Sequence, residues 1–167
     1  MKLERHVAFT IPSNLDEATA RAFVQDVSES LSHATFLTNL KVSEDDVVSA
    51  HLPVNAALFG QQRLRFRSQL ERTPDGGRLY GEDLDDAPGW ARVSGTGVVI
   101  PTPTGSRLEY TFDFTIHVAL PEGERWGGRA LLKMIEVVAD NVLRRVTESF
   151  PKAVTDAARA YEARLAA

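Results

Sequence analysis

A hydroxyl set among aromatic rings is the first group in this sequence that could do chemistry. SRLEYTFDFTIHVAL (106–120) alternates, with Leu108, Tyr110, Phe112, Phe114, Ile116, Val118 and Leu120 on one face. Arg107, Glu109, Asp113 and His117 lie on the other. Tyr110 therefore carries a phenol onto an apolar face, where one hydrogen bond can orient a bound molecule. Ser68, between Phe66 and Leu70, offers a second hydroxyl on a similar face. Tyr80, and with it Glu82, falls on a neighbouring strand, and Asn141 interrupts the apolar side of a long C-terminal helix. A buried Glu82 would have its pKa raised by desolvation and could act as acid or base. It also begins the acidic run EDLDD, where a solvated carboxylate is the simpler reading.

Other chemistries find little support. The sequence has no cysteine, which excludes disulfides, thiolate catalysis and cysteine-based metal sites. His6, His33, His51 and His117 show no metal-ligand spacing, and neither a metal nor a cofactor is expected. His6 and His117 fall on outward faces of the first and last strands, as a solvated pair. EDLDD lacks the spacing and glycine of a calcium loop. SGTG (94–97) is neither a dinucleotide fingerprint nor a P-loop, and there is no GxSxG elbow. Arg63, Arg65, Arg67 and Arg72 form a basic stripe that could meet phosphate or RNA. No aromatics interleave with it and the net charge is −4, so cross-strand ion pairing explains it and no nucleic-acid partner is expected.

The elements that must position these residues follow from periodicity. RHVAFTI (5–11) reads as a strand ended by Pro12, and Ser13 or Asn14 can cap a helix from Leu15 to about Leu31. Strands are expected at 38–42, 46–54, 59–72, 77–84, 91–100 and 106–120, joined by short polar or glycine-bearing turns such as TPDGG and PTPTG. These make seven strands in all. The chain after Pro121 reads as helical, with Ala130, Met134, Val137, Val138, Val142 and Val146 facing inward and Pro151 bending or dividing the helix.

At 167 residues with 43% hydrophobic and 25% charged side chains, residues 1–167 fit one domain with a sizeable core. The N-terminal stretch is too polar for a signal peptide and no segment is long enough to span a membrane, so a cytoplasmic protein without stable membrane insertion is the expectation. Short turns between alternating strands imply an antiparallel meander with one dry face, which a single amphipathic helix must cover.

The hairpin at PTPTG would set Gly95 and Gly97 opposite Phe112 and Tyr110. Either the rings fold over the glycines and fill the gap, or the missing side chains leave room for a ligand.

Strand RHVAFTI, the helix after it, the strand run ending in TFDFTIHVAL and the closing helix from Trp126 together resemble the helix-grip fold. That is the fold of the START-like, or Bet v 1-like (SRPBCC), superfamily, which includes polyketide cyclases. The resemblance runs from Glu4 to about Tyr161 and rests on element order and patterning. It implies an α+β fold in which a curved seven-stranded antiparallel sheet wraps a long C-terminal helix. It further implies a cavity between them holding a hydrophobic small molecule such as a lipid, isoprenoid or polyketide. The expected wall is Phe66, Gly95, Phe112, Phe114, Met134 and Val138, with Ser68, Tyr80, Tyr110 and Asn141 as polar contacts. Two alternatives stand beside this carrier: a cyclase or dehydratase using Glu82 and Tyr110, and an interaction protein with a filled core.

Overall fold

The computed structural model describes residues 1–56, 60–85, 89–118 and 128–167. Its elements are β1 (Lys2–Ser13), α1 (Glu17–Gln25), α2 (Val27–Ser30), β2 (Thr38–Val42), β3 (Val47–Ala56), β4 (Gly60–Thr73), β5 (Gly76–Gly81), β6 (Gly89–Thr102), β7 (Gly105–Val118) and α3 (Gly128–Ala166). The expected strand start at Phe59, the end of the EDLDDAPG loop, Leu120 and the helix start at Trp126 lie outside the described residues.

The seven strands form one sheet in the order β1-β7-β6-β5-β4-β3-β2, with every consecutive pairing antiparallel. A curved antiparallel sheet around a long helix is the helix-grip architecture. β5 stops at Gly81, and beyond it β4 meets β6 directly through a parallel bridge between Arg65 and Trp90. Ser68 secures this junction: its fully buried hydroxyl donates to Val93 O at 2.7 Å.

Pro12 does not end the first strand. β1 is an edge, so the missing N–H costs no ladder bond, and Pro12 stays in register opposite Arg107. The expected single helix over 15–31 is two. Asp16 caps α1 by accepting from Thr19 N at 2.9 Å, and Asp26 interrupts the helix and caps α2 by accepting from Glu29 N at 3.1 Å. Ser13 serves elsewhere, because its hydroxyl donates to Glu162 near the end of α3 and accepts from Leu15 N. Gly105 turns the β6–β7 hairpin at φ +150°, and a Cβ there would sit 2.3 Å from Ser13 O.

α3 runs through Pro151 as one helix of 39 residues. Its buried face is Ala139, Val142, Leu143, Val146, Phe150, Ala153, Val154, Ala157 and Ala158, at steps of three and four. The expected inward face is corrected in its first turns: Ala130 is exposed, as are Met134 at 41% and Val137 at 58%. Ion pairs and hydrogen bonds hold the helix from several sides: Asp140 with Arg5 of β1, Arg145 with Pro53 O of β3, Glu162 with Ser13, and Arg164 with Glu29 of α2.

Candidate functional site

The concave face is built by alternation. Leu108, Tyr110, Phe112, Phe114 and Ile116 of β7 are all buried, as the residue pattern requires. Register places Gly97 opposite Tyr110 and Gly95 opposite Phe112. The rings fold over both glycines. A Cβ at Gly95 would stand 2.4 Å from Phe112 Cδ1 and from Thr111 O, and one at Gly97 would stand 2.9 Å from Tyr110 Cε1. These glycines admit aromatic rings to the backbone rather than leaving open space.

Phe150 completes the packing from the helix side. Its ring centroid lies 4.6 Å from Phe112, 5.6 Å from Phe114, 5.7 Å from Phe9 and 6.0 Å from Phe36. Two small voids flank this cluster. One, of about 20 Å³, is wholly apolar and touches Phe66, Phe112, Phe114 and Phe150. The other, of about 40 Å³, touches Gly95, Gly97, Tyr110, Phe112 and Phe150 and reaches Ser30 of α2. Leu31, Leu79, Phe112 and Phe150 wall both.

Tyr110, which lines the second void, carries a buried hydroxyl that makes no hydrogen bond among the described residues. Burial pushes its pKa well above that of an ordinary phenol. The nearby Ser30 hydroxyl works weakly against that shift, but it gives its proton to Phe23 O at 2.5 Å. Tyr110 thus stays protonated and offers a donor to whatever enters the void; it is no base near neutrality. A void of this size admits one water, the smallest occupant that could satisfy it.

The structure brings together Phe66, Gly95, Tyr110, Phe112 and Phe114, with Val138 half-buried against the same core. Other expected residues lie elsewhere. Tyr80 is 44% exposed and its hydroxyl accepts from Arg78, because the inward residue of β5 is Leu79 and the alternation is displaced by one. Met134 and Asn141 share the wet side of α3, where Asn141 Oδ1 accepts from Arg144 at 2.6 Å. Ser68 is fully buried, but its proton is committed to Val93 O. Glu82 is half-buried, with its side chain open to solvent, and pairs with Arg67 at 2.8 Å, so it is not the buried acid of the enzyme alternative. His6 pairs with Asp113, whereas His117 stacks on Trp90 at 3.9 Å, so the two histidines form no pair. Phe150 is the residue that sequence reasoning missed. Its signal was present, eight residues after Val142 and four after Val146.

Among the described residues, no group of three His, Asp or Glu is placed to hold a metal ion, and no helix is long and apolar enough to cross a membrane. Residues 8–148 match the model of the family described as "Protein of unknown function (DUF3809)". The chain belongs to this family. No curated protein matches it. Among solved structures it is similar to TTHA0849 from Thermus thermophilus, at 16% identity and a TM-score of 0.54, covering 93% of this chain and 98% of that one. It is also similar to the Zhui aromatase/cyclase from Streptomyces sp. R1128, at 16% identity, a TM-score of 0.52 and 94% coverage of each chain. The polyketide-cyclase-like protein Cgl2372 from Corynebacterium glutamicum gives 15% identity and a TM-score of 0.50, over 96% of this chain and 93% of that one. At these identities the likeness establishes the helix-grip fold.

Proposed function

We propose that this chain binds a hydrophobic small molecule between its sheet and α3. The observation that carries the reading is the buried, unpartnered hydroxyl of Tyr110, a residue lining a void walled mainly by aromatic and aliphatic side chains and three glycines, with Ser30, Arg78 and Thr96 at its margin. A buried donor without an acceptor costs about 1–3 kcal/mol, an expense a bound acceptor would remove. The matching ligand is apolar, with a carbonyl, ether or hydroxyl oxygen for Tyr110. The similarity in fold to the Zhui aromatase/cyclase supports the reading.

Voids of about 20 and 40 Å³ are far smaller than the roughly 300 Å³ of an ordinary small-molecule site. Binding therefore needs room that the closed core lacks, and we assign the opening to Phe150, one of the four side chains that wall both voids. Among the described residues lining them there is no carboxylate or histidine, so a carrier fits better than an acid–base enzyme. The small voids favour one other reading, an interaction protein whose core is simply filled.

Native mass spectrometry of freshly purified protein, followed by organic extraction, separates the two. A discrete apolar adduct that is lost in Tyr110→Phe supports the carrier. Clean protein that also takes up no apolar molecule from a mixed lipid and polyketide extract favours the filled core.

A further inference from the structure

The convex side of the sheet carries a groove of about 370 Å³ that the hydrophobic site does not use. Strand register builds it. Lys41 of β2 lies opposite Ser49 of β3, which lies opposite Arg67 of β4, forming one cross-strand row. Two residues along, roughly 7 Å away, His51 lies opposite Arg65, and Asn39 completes a second row. All six residues line the groove, and Leu84 adds an apolar wall. No carboxylate is among the described lining residues; Glu82 reaches Arg67 from the side.

Local backbone geometry prepares one of the donors. The β2–β3 pairing is irregular between Thr38 and Lys41, and Asn39 there adopts φ 54°, a left-handed conformation asparagine tolerates. This sets Asn39 Nδ2 against His51 Nδ1 at 3.1 Å. With Nδ1 accepting, the ring's proton sits on Nε2, so His51 offers the groove a donor even when neutral. Among the described residues, neither the Lys41 ammonium nor the Ser49 hydroxyl makes a side-chain hydrogen bond or ion pair of its own. The Lys41 ammonium stands beside a hydroxyl, an imidazole N–H and two guanidinium groups, of which Arg67 also pairs with Glu82 and Arg65 is likewise engaged, leaving each fork further N–H donors to share. That donor set suits a tetrahedral oxyanion.

We propose that this groove binds the phosphoryl group of a soluble phosphorylated small molecule. Its volume lies in the range of small-ligand sites, and its wall at Leu84 suits an apolar part of the same molecule. Among the described lining residues it shares Phe66 with the cavity beneath α3 but none of its polar donors, so either reading can fail alone.

The test is a titration of the full chain with inorganic pyrophosphate, followed in ¹H–¹⁵N NMR spectra at constant ionic strength. Saturable shifts confined to residues 39–41, 49–51 and 65–67 are expected. Affinity should fall on the order of tenfold or more in Lys41→Ser/Arg65→Ser, and should not change in Arg107→Ser on the wet face of β7. Should the double variant fold poorly, Lys41→Gln alone, at an exposed position, must still weaken binding. Shifts that spread over the surface without saturating, or an unaltered affinity in the Lys41 variants, overturn the proposal. So does binding to phosphatidylglycerol vesicles without binding to pyrophosphate, which would make the face a membrane contact.

Discussion

At the scale of single residues, Tyr110 is the group whose chemistry and environment are most at odds. Its ring is well housed, stacked 5.2 Å from Phe9 and covering Gly97. Its hydroxyl makes no hydrogen bond among the described residues. In the ligand-free protein, Tyr110→Phe should therefore raise unfolding stability, by about 1 kcal/mol, because it removes a desolvated donor without altering shape. Denaturant unfolding measures this directly; a loss of stability would mean that a buried water satisfies the phenol. The pH dependence has a definite sign. The folded pKa lies above the ordinary phenol value of about 10, so above that pH the unfolded chain releases a proton that the folded chain retains. Stability from this group is fully present below pH ~10 and is lost as pH rises from there towards the folded pKa. Tyr110→Phe should lose less stability than wild type over that alkaline range. Phe150 presents the opposite case, a residue that satisfies its surroundings fully. Phe150→Ala should cost about 3–5 kcal/mol. It should also join the two voids, so that benzene-sized molecules protect the variant in thermal unfolding more than they protect wild type.

Elements show why some of this was legible in sequence and some was not. Alternation in 106–120 identified every buried residue described on the concave side of β7 from Leu108 to Ile116, because a long strand repeats its period often enough to fix which side is dry. β5 has only six residues, with Leu79 and Tyr80 adjacent, and so short a run does not fix its own parity; the neighbouring strands decide it. α3 misled in another way. Met134 and Val137 continue the apolar series, yet that part of the helix leaves them exposed, and the true stripe begins at Ala139. Long-range polar contacts left no periodic trace. Glu162 is the plainest example: it accepts from the Ser13 hydroxyl at 2.8 Å and from Asn14 N at 3.2 Å, tying the end of α3 to the end of β1. Partial burial works to raise its pKa, but these bonds and Arg159 outweigh it and hold the carboxyl below the usual range. Its contribution is therefore present above the ordinary glutamate pKa and is lost as pH falls through the folded value. Glu162→Ala should lower stability by about 1 kcal/mol near neutrality, with a smaller loss in Glu162→Gln. Both should flatten the acid limb of a stability–pH curve, and hydrogen exchange should quicken in the last turns of α3.

For the whole molecule, the decisive issue is how a core this closed could admit a ligand. The sheet cannot yield easily, since its strands are joined in one continuous ladder from β1 to β2. The helix can, because its attachments are side chains: the Arg5–Asp140 ion pair, the Arg145 bond to Pro53 O, and the ties of Glu162 and Arg164 near its C-terminal end. Pro151 adds a defined place to yield, for it cannot donate to the carbonyl of Thr147 and adjoins Phe150, one of the four side chains that wall both voids. Opening should therefore pivot near Pro151 and lift the half of α3 that carries Asp140, drawing Phe150 out of the aromatic cluster. Pinning that half to β1 should then block entry while leaving the fold intact. Arg5→Cys/Asp140→Cys, joined by a short bis-maleimide, makes the pin, and no native cysteine competes for the reagent. The linked protein should take up a hydrophobic fluorescent probe far more slowly than the same variant left unlinked, at equal thermal stability or better. Equal uptake rates in the two forms would show that the ligand enters by some path that leaves α3 on the sheet, and Phe150 would then be packing alone.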